Sequence, residues 1–205
     1  MDNVVSFIKR IFMRKFNYKE YQAFFNELVE KGTSTGENPN DDIIRFTKLN
    51  FSRSKRINKK FEPISETEEF IASLKKPLKF LLITEPWCGD AAQIVPAIAE
   101  IAALSDLIEL EVVLRDENEE LMGRYLTNGG KAIPIVVFID ENGNEIGHWG
   151  PRPQEAQKMV TNYKALPEEE RPDYLDFVQQ VQAWYNDDKT VSIQKEFVDA
   201  LKEKI

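Results

Sequence analysis

The sequence holds one cysteine and one histidine among 205 residues, and each scarcity closes off chemistry. A lone thiol cannot form a disulfide within the chain or build a Cys-rich zinc site. With one imidazole, a catalytic zinc would need completion by carboxylates, so no metal and no other cofactor is expected. There is no phosphate-cradling Gly-rich loop and no serine elbow. No apolar run approaches the roughly 20 residues of a membrane-spanning helix. Positive charge is also in deficit: 27 Lys and Arg face 35 Asp and Glu, for a net charge of −8. That balance argues against a nucleic-acid binder, because neutralising phosphates needs a basic excess. The first residues, "MDNVVSFIKRIFMRKF", lack the unbroken apolar core and small-residue cleavage site of a signal peptide. A packed terminal helix is expected there, with a membrane-surface helix as the alternative. These absences together suit a reducing compartment, and the expected location is the cytoplasm.

What is present suffices for a sizeable core: 42% of residues are hydrophobic and 11% aromatic. Three zones follow. Residues 1–61 read as a helical N-terminal extension. In it Tyr18, Tyr21, Phe24, Phe25, Leu28 and Val29 recur near a 3.6-residue period. After the loop "KGTSTGENPNDD", Asn40 or Asp41 can cap a second helix. Residues 62–164 alternate strand and helix signals. Ser65 and Glu68 have capping-box spacing. "LKFLLIT" and "IELEVVLR" are continuous apolar strands, as expected when both faces are covered. Between them "DAAQIVPAIAEIAAL" carries a helical apolar face, with a kink expected at Pro96. "ENEELMGRYLTNGG" reads as a helix ended by Gly129 or Gly130. "IPIVVFIDENGNEIGHWG" reads as a hairpin whose Asn142-Gly143 pair accepts positive φ. A further short strand is possible near Phe61. Residues 165–205 read as a helical C-terminal extension whose aromatics must be buried against the middle zone. The fold class is α/β, a mixed sheet of four to five strands flanked by helices.

Cys88 closes an apolar strand and opens a helix, where unpaired amides and the helix dipole favour a thiolate. On placement alone a buried small hydrophobe is the commoner role for such a cysteine. The surrounding Trp87-Cys88-Gly89 resembles the active-site turn of the thioredoxin superfamily. The likeness continues to Ile133-Pro134 before a strand, where that family has a cis proline facing the thiol, and to Gly150, where a glycine borders the substrate groove. It covers roughly residues 65–164. It implies a thioredoxin-like fold, a substrate groove lined by Trp87, Gly89, Ile133, Pro134, Gly150 and Arg152, and chemistry at Cys88. The departures are equally specific. Ala91 stands in place of the resolving thiol, and Leu82 in place of the buried acid that assists proton transfer. A dithiol cycle within the chain is therefore excluded.

Several neighbours are open to more than one reading. Asp90 is either a structural first-turn carboxylate, a charge that raises the thiol pKa, or a proton relay in place of the missing acid. His148 reads as a bystander on an edge strand. Arg152 either caps the next helix or reaches an anionic ligand such as the carboxylates of a small thiol. The run "RFTKLNFSRSKRINKK" (45–60) holds seven basic residues and no acidic one; it is either a solvated face pairing with the protein's own acids or a dock for an acidic partner. Two functions remain open, so whether the chain is an enzyme does too. One is slow or specialised monothiol exchange through Cys88 and Asp90, with a disulfide-containing protein or a low-molecular-weight thiol. The other is a non-catalytic binding module with a vestigial or sensor cysteine.

Overall fold

The computed structural model describes residues 14–205; the expected terminal helix over the first residues lies outside them. Five strands form one sheet in the order β1-β3-β2-β4-β5. They are β1 (Lys15–Phe16), β2 (Leu78–Thr84), β3 (Ile108–Leu114), β4 (Ile135–Ile139) and β5 (Glu145–Trp149). Strands β2 and β3 are parallel, which requires a crossover, and α4 (Ala91–Ala102) supplies it. Strand β4 runs antiparallel to β2, and β5 to β4. The loop between β4 and β5 closes with Gly143 at φ 79° while the Asp140 carboxylate accepts the amides of Asn142 and Asn144. Only the glycine takes positive φ there; Asn142 does not share it.

The side-chain alternation of the strands divides the core into two layers. Phe80, Leu82, Val112, Leu114, Val136 and Phe138 point to one face, with most of the helices. Leu81, Ile83, Val113, Ile135 and Val137 point to the other, against Leu121, Met122 and Tyr125. Before the sheet come α1 (Tyr18–Glu30), α2 (Asp41–Lys60) and α3 (Ser65–Ser73). Asn17 and Glu20 form a capping box on α1, and the Asn40 side chain caps α2 through the Ile43 amide. The loop joining α1 to α2 is tied down by the Ser34–Thr47 hydroxyl contact of 2.6 Å.

Three expectations are corrected. Ser65 and Glu68 form no capping box, because α3 begins a residue earlier: Ile64 is its N-cap, and its carbonyl accepts the Thr67 and Glu68 amides. Phe61 forms no strand; it is the C-cap of α2, and the edge strand is instead Lys15–Phe16, in a zone read as helical. The helix expected over 117–130 is only α5 (Glu119–Met122). Tighter turns from Leu121 and Met122 follow it and bring Tyr125 into the second core layer, so the helical repeat cannot continue. Helix α6 (Gln154–Ala165) buries only Ala156.

The remaining cover comes from α7 (Tyr174–Asp188) and α8 (Val191–Lys202), joined through Lys189 and Thr190 at φ 51° and 69°. Phe197 of α8 is fully buried and meets Phe80, Phe138 and Trp149 edge-on at ring separations of 5.3, 5.3 and 5.9 Å. Such edge-to-face packing aligns a positive ring edge with a negative face. Helix α8 is thus a wall of the core. Replacing Phe197 with Ala is expected to lower unfolding free energy by about 3–5 kcal/mol, read by urea denaturation; a loss below about 1 kcal/mol would show that α8 is dispensable to the sheet.

Candidate functional site

The end of β2 runs into a turn, residues 85–90, before α4. Cys88 lies there, partly buried. Its Sγ donates to the Ile133 carbonyl at 3.4 Å, across the peptide bond that precedes Pro134. The Ile133–Pro134 bond is cis, as is Gly150–Pro151. Gly150 sits behind this loop at φ 127°, and a Cβ there would collide with the Pro134 carbonyl oxygen. No other residue fits both the dihedral and the space. The structure therefore gathers Cys88, Ile133, Pro134 and Gly150 at one place. Trp87 flanks them, its ring covered by the Arg115 guanidinium at 4.7 Å.

Asp90 does not cap the helix it begins. Its side chain makes no bond to the first-turn amides. Instead Oδ2 accepts from Arg152 at 3.0 and 2.7 Å, and Oδ1 accepts from the Tyr185 hydroxyl at 2.8 Å. Arg152 gives another N–H to Gln157 Oε1 at 2.9 Å. The pair is largely shielded, with side-chain exposures of 12% for Arg152 and 14% for Asp90. Arg152 thus meets an internal carboxylate rather than awaiting an external one. Burial is the largest single influence and would lower its pKa, but the Asp90 charge and hydrogen bonds, with smaller help from Tyr185 and Cys88, together hold it above the usual value.

Two polar clamps fix the turn from outside. From α2, Asn50 Nδ2 donates to the Pro86 carbonyl at 3.2 Å. From α7, Gln182 Nε2 donates to the Gly89 carbonyl at 3.1 Å, close enough that a Cβ at residue 89 would press on it. Gln93 of α4 links the two sides: its Nε2 donates to Gln182 Oε1 at 2.8 Å, and its Oε1 accepts from Arg56 at 3.3 Å. Gln93 and Gln182 are both buried, and their amides satisfy one another in place of water.

These surroundings act against ionisation of Cys88. Burial first, and then the neighbouring Asp90 charge, push its thiol up to about 12; the Asp90 and Ala91 amides and Arg152 pull the other way and lose. Leu82 is fully buried in the core. A buried acid does exist nearby, unnoticed in the sequence reading: Glu85, 1% exposed. Its Oε1 accepts the Asp116 amide at 2.9 Å and its Oε2 the Thr35 hydroxyl at 2.6 Å. Burial raises its pKa to about 7, against the pull of those two donors. The signal was a charged residue ending a wholly apolar strand, "LLITEPW". Gln93 within an apolar helix was a second such signal. His148 is exposed on edge strand β5, against Tyr125.

A cleft of about 370 Å³ opens onto Cys88, Gly89 and Asp90. Its walls are α2, α6 and α7. Among the described residues no group of three or more His, Cys, Asp or Glu side chains could hold a metal ion, and no helix is long and apolar enough to cross a membrane.

Residues 36–164 match the family described as Thioredoxin, and the chain belongs to that family. Solved structures share the fold over nearly the whole chain. A protein of unknown function from Pseudomonas aeruginosa matches with a TM-score of 0.57 at 18% identity, covering 93% of this chain and 99% of its own. An HIV epitope-scaffold matches with a TM-score of 0.57 at 17% identity, covering 88% and 98%. No curated protein matches the chain.

Two predictions follow from the charges. Asp90→Asn removes a negative charge beside the sulfur and frees Arg152 to face it, so the thiol pKa should fall and iodoacetamide labelling at pH 8 should quicken severalfold; an unchanged rate would remove Asp90 from the control of the thiol. Glu85 has a folded pKa near 7 and an ordinary value of 4.5, so the folded state binds the proton more tightly. Its contribution to stability is present below pH 4.5 and is lost as pH rises through 7, by up to about 3 kcal/mol. Glu85→Gln should flatten the stability curve between pH 5 and 8; an identical slope in both proteins would refute the assignment.

Proposed function

We propose that this chain is a thioredoxin-fold binding protein in which the groove around Cys88, Gly89, Ile133, Pro134 and Gly150 receives a partner and Cys88 is kept as a neutral thiol. The observation that carries this reading is the sulfur's environment. Its hydrogen is given to the Ile133 carbonyl, and burial with Asp90 pushes the pKa up to about 12. At pH 7 only about one thiol in a hundred thousand would be ionised, and the thiolate is the nucleophile. The sequence supplies no second thiol to resolve a mixed disulfide.

One observation favours slow monothiol exchange as a second reading: Cys88 lines an open cleft rather than the closed core. In that reaction the Cys88 thiolate attacks a disulfide, one sulfur leaves as a thiolate, and an external thiol then displaces the protein from the mixed disulfide. The oxidant is a disulfide-containing protein or the disulfide of a small thiol, and the external thiol is the reductant. Asp90 restrains this chemistry, because its charge opposes a second one at the sulfur.

The two readings part on one pair of measurements. The rate of alkylation of Cys88 in the folded protein, followed from pH 6 to 11, should show no ionisation below about pH 10. Reduction of a small mixed disulfide should be equal for wild type and Cys88→Ser. A thiol titrating below its ordinary ~8.5, with reduction abolished in Cys88→Ser, would overturn the binding reading in favour of exchange.

A further inference from the structure

We infer that the furrow between α2 and α7, which leads into the Cys88 cleft, is a docking track for an extended acidic peptide segment of a partner protein. The inference rests on the binding reading above and names the kind of partner. Most of the basic run 45–60 does not pair with the protein's own acids among the described residues. Of its seven cations only Arg45 meets a carboxylate, Asp42 on the same helix, among the described residues. Arg53 and Arg56 stand one helical turn apart, where like charges repel. Among the described residues their side-chain bonds are to neutral oxygens, those of Asn50 and Gln93. Burial and the Arg56 charge both lower the Arg53 pKa, so folding leaves this pair uncompensated rather than solving it.

The pair also joins two cavities. Arg53 lines the cleft of about 370 Å³ above Cys88. Arg56 lines a second one of about 700 Å³, with Lys59, Lys60 and Lys189. Helix α7 spans both, with Phe177 and Gln182 on the first and Tyr185 and Lys189 on the second. Between them the Arg56–Gln93–Gln182 chain crosses from one helix to the other. Its two glutamines are buried, and Gln182 also lines the first cavity. From Tyr174 to Lys189 the track is about 22 Å long at 1.5 Å per residue. That matches about six or seven extended residues at 3.3 Å each, well beyond a single small anion.

Charge and shape select the occupant. Lys164 adds an unpaired cation at the Cys88 end among the described residues, while Asp90, the acid there, is neutralised by Arg152. Glu62 is the acid of the second cavity. Phe46, Tyr174 and Phe177 give the first cavity an apolar wall for one large side chain. Bases would find little to stack on: Arg115 covers Trp87, and Tyr163 lies on Phe177 at 4.1 Å. The net charge of −8 further repels a long polyanion outside the furrow.

The test is calorimetric titration of the full chain with an acetylated heptapeptide of Asp and Glu around a central Phe, at low and high salt. The expected result is binding that weakens with salt, no binding of the same peptide with Lys at the acidic positions, and at least a tenfold loss in Arg53→Glu/Arg56→Glu. Arg53→Lys/Arg56→Lys should retain most of the affinity. If the charge-reversed pair does not fold, Lys60→Glu/Lys189→Glu, at exposed positions, should show a severalfold loss instead. Equal binding of the basic peptide, unaltered affinity in a folded charge-reversed variant, or tighter binding of a single-stranded oligonucleotide would overturn the inference. Peptide binding together with a readily ionised Cys88 would sink the neutral-thiol reading and leave the track standing; an inert thiol without peptide binding would do the reverse.

Discussion

One carboxylate organises this molecule. Asp90 uses one oxygen for Arg152, just beyond the hairpin, and the other for Tyr185 on α7. Three pieces of chain far apart in sequence are thereby fixed about the start of α4. A shielded ion pair of this kind roughly breaks even against its desolvation unless its remaining hydrogen-bonding sites are filled. Here they are, because Tyr185 and Gln157 complete the set. The same charge stands two residues from the only thiol. Order and reactivity are therefore coupled with opposite signs: what holds the turn in shape also disfavours the anion the sulfur would need to react.

Neutral groups do the remaining work around the turn. Asn50 and Gln182 grip the Pro86 and Gly89 carbonyls, and Gln93 spans the space between their helices. Amides can satisfy a buried carbonyl without the cost of a second buried charge. The outcome is a rigid rim of familiar geometry set between two helices that lie outside the parallel β-α-β unit. Recognition, on this view, comes from α2 and α7, and the family core supplies the platform between them.

Much of the platform was legible in the chain itself. The unbroken "LKFLLIT" marks a strand covered on both faces, and β2 is buried on both. Gly150 was placed at the groove border by the family resemblance, and its dihedral and close approach to the Pro134 carbonyl explain the residue. Shorter or relational features were not legible. Two residues at Lys15–Phe16 are too few for any period to register. The pattern after Glu119 is helical in its apolar spacing, yet Tyr125 is drawn into the sheet's second layer. Arg152 was read as a helix cap or a receptor for outside anions because nothing local says that Asp90, 62 residues away, will claim it. Glu85 and the two buried glutamines were missed for the same reason: a polar residue in an apolar run announces burial but not its partner.

The position of α8 bears on how the molecule is made. Phe197 closes the face on which Phe80 and Phe138 lie, yet a ribosome delivers it long after both strands have emerged. Until then the nascent sheet has an aromatic face without its lid, a surface prone to misassociation. Vectorial synthesis would thus leave the Cys88 turn loosely built until late, since α7, which grips it through Gln182 and Tyr185, is made after the whole sheet. Maturation of the site and closure of the core become a single late event.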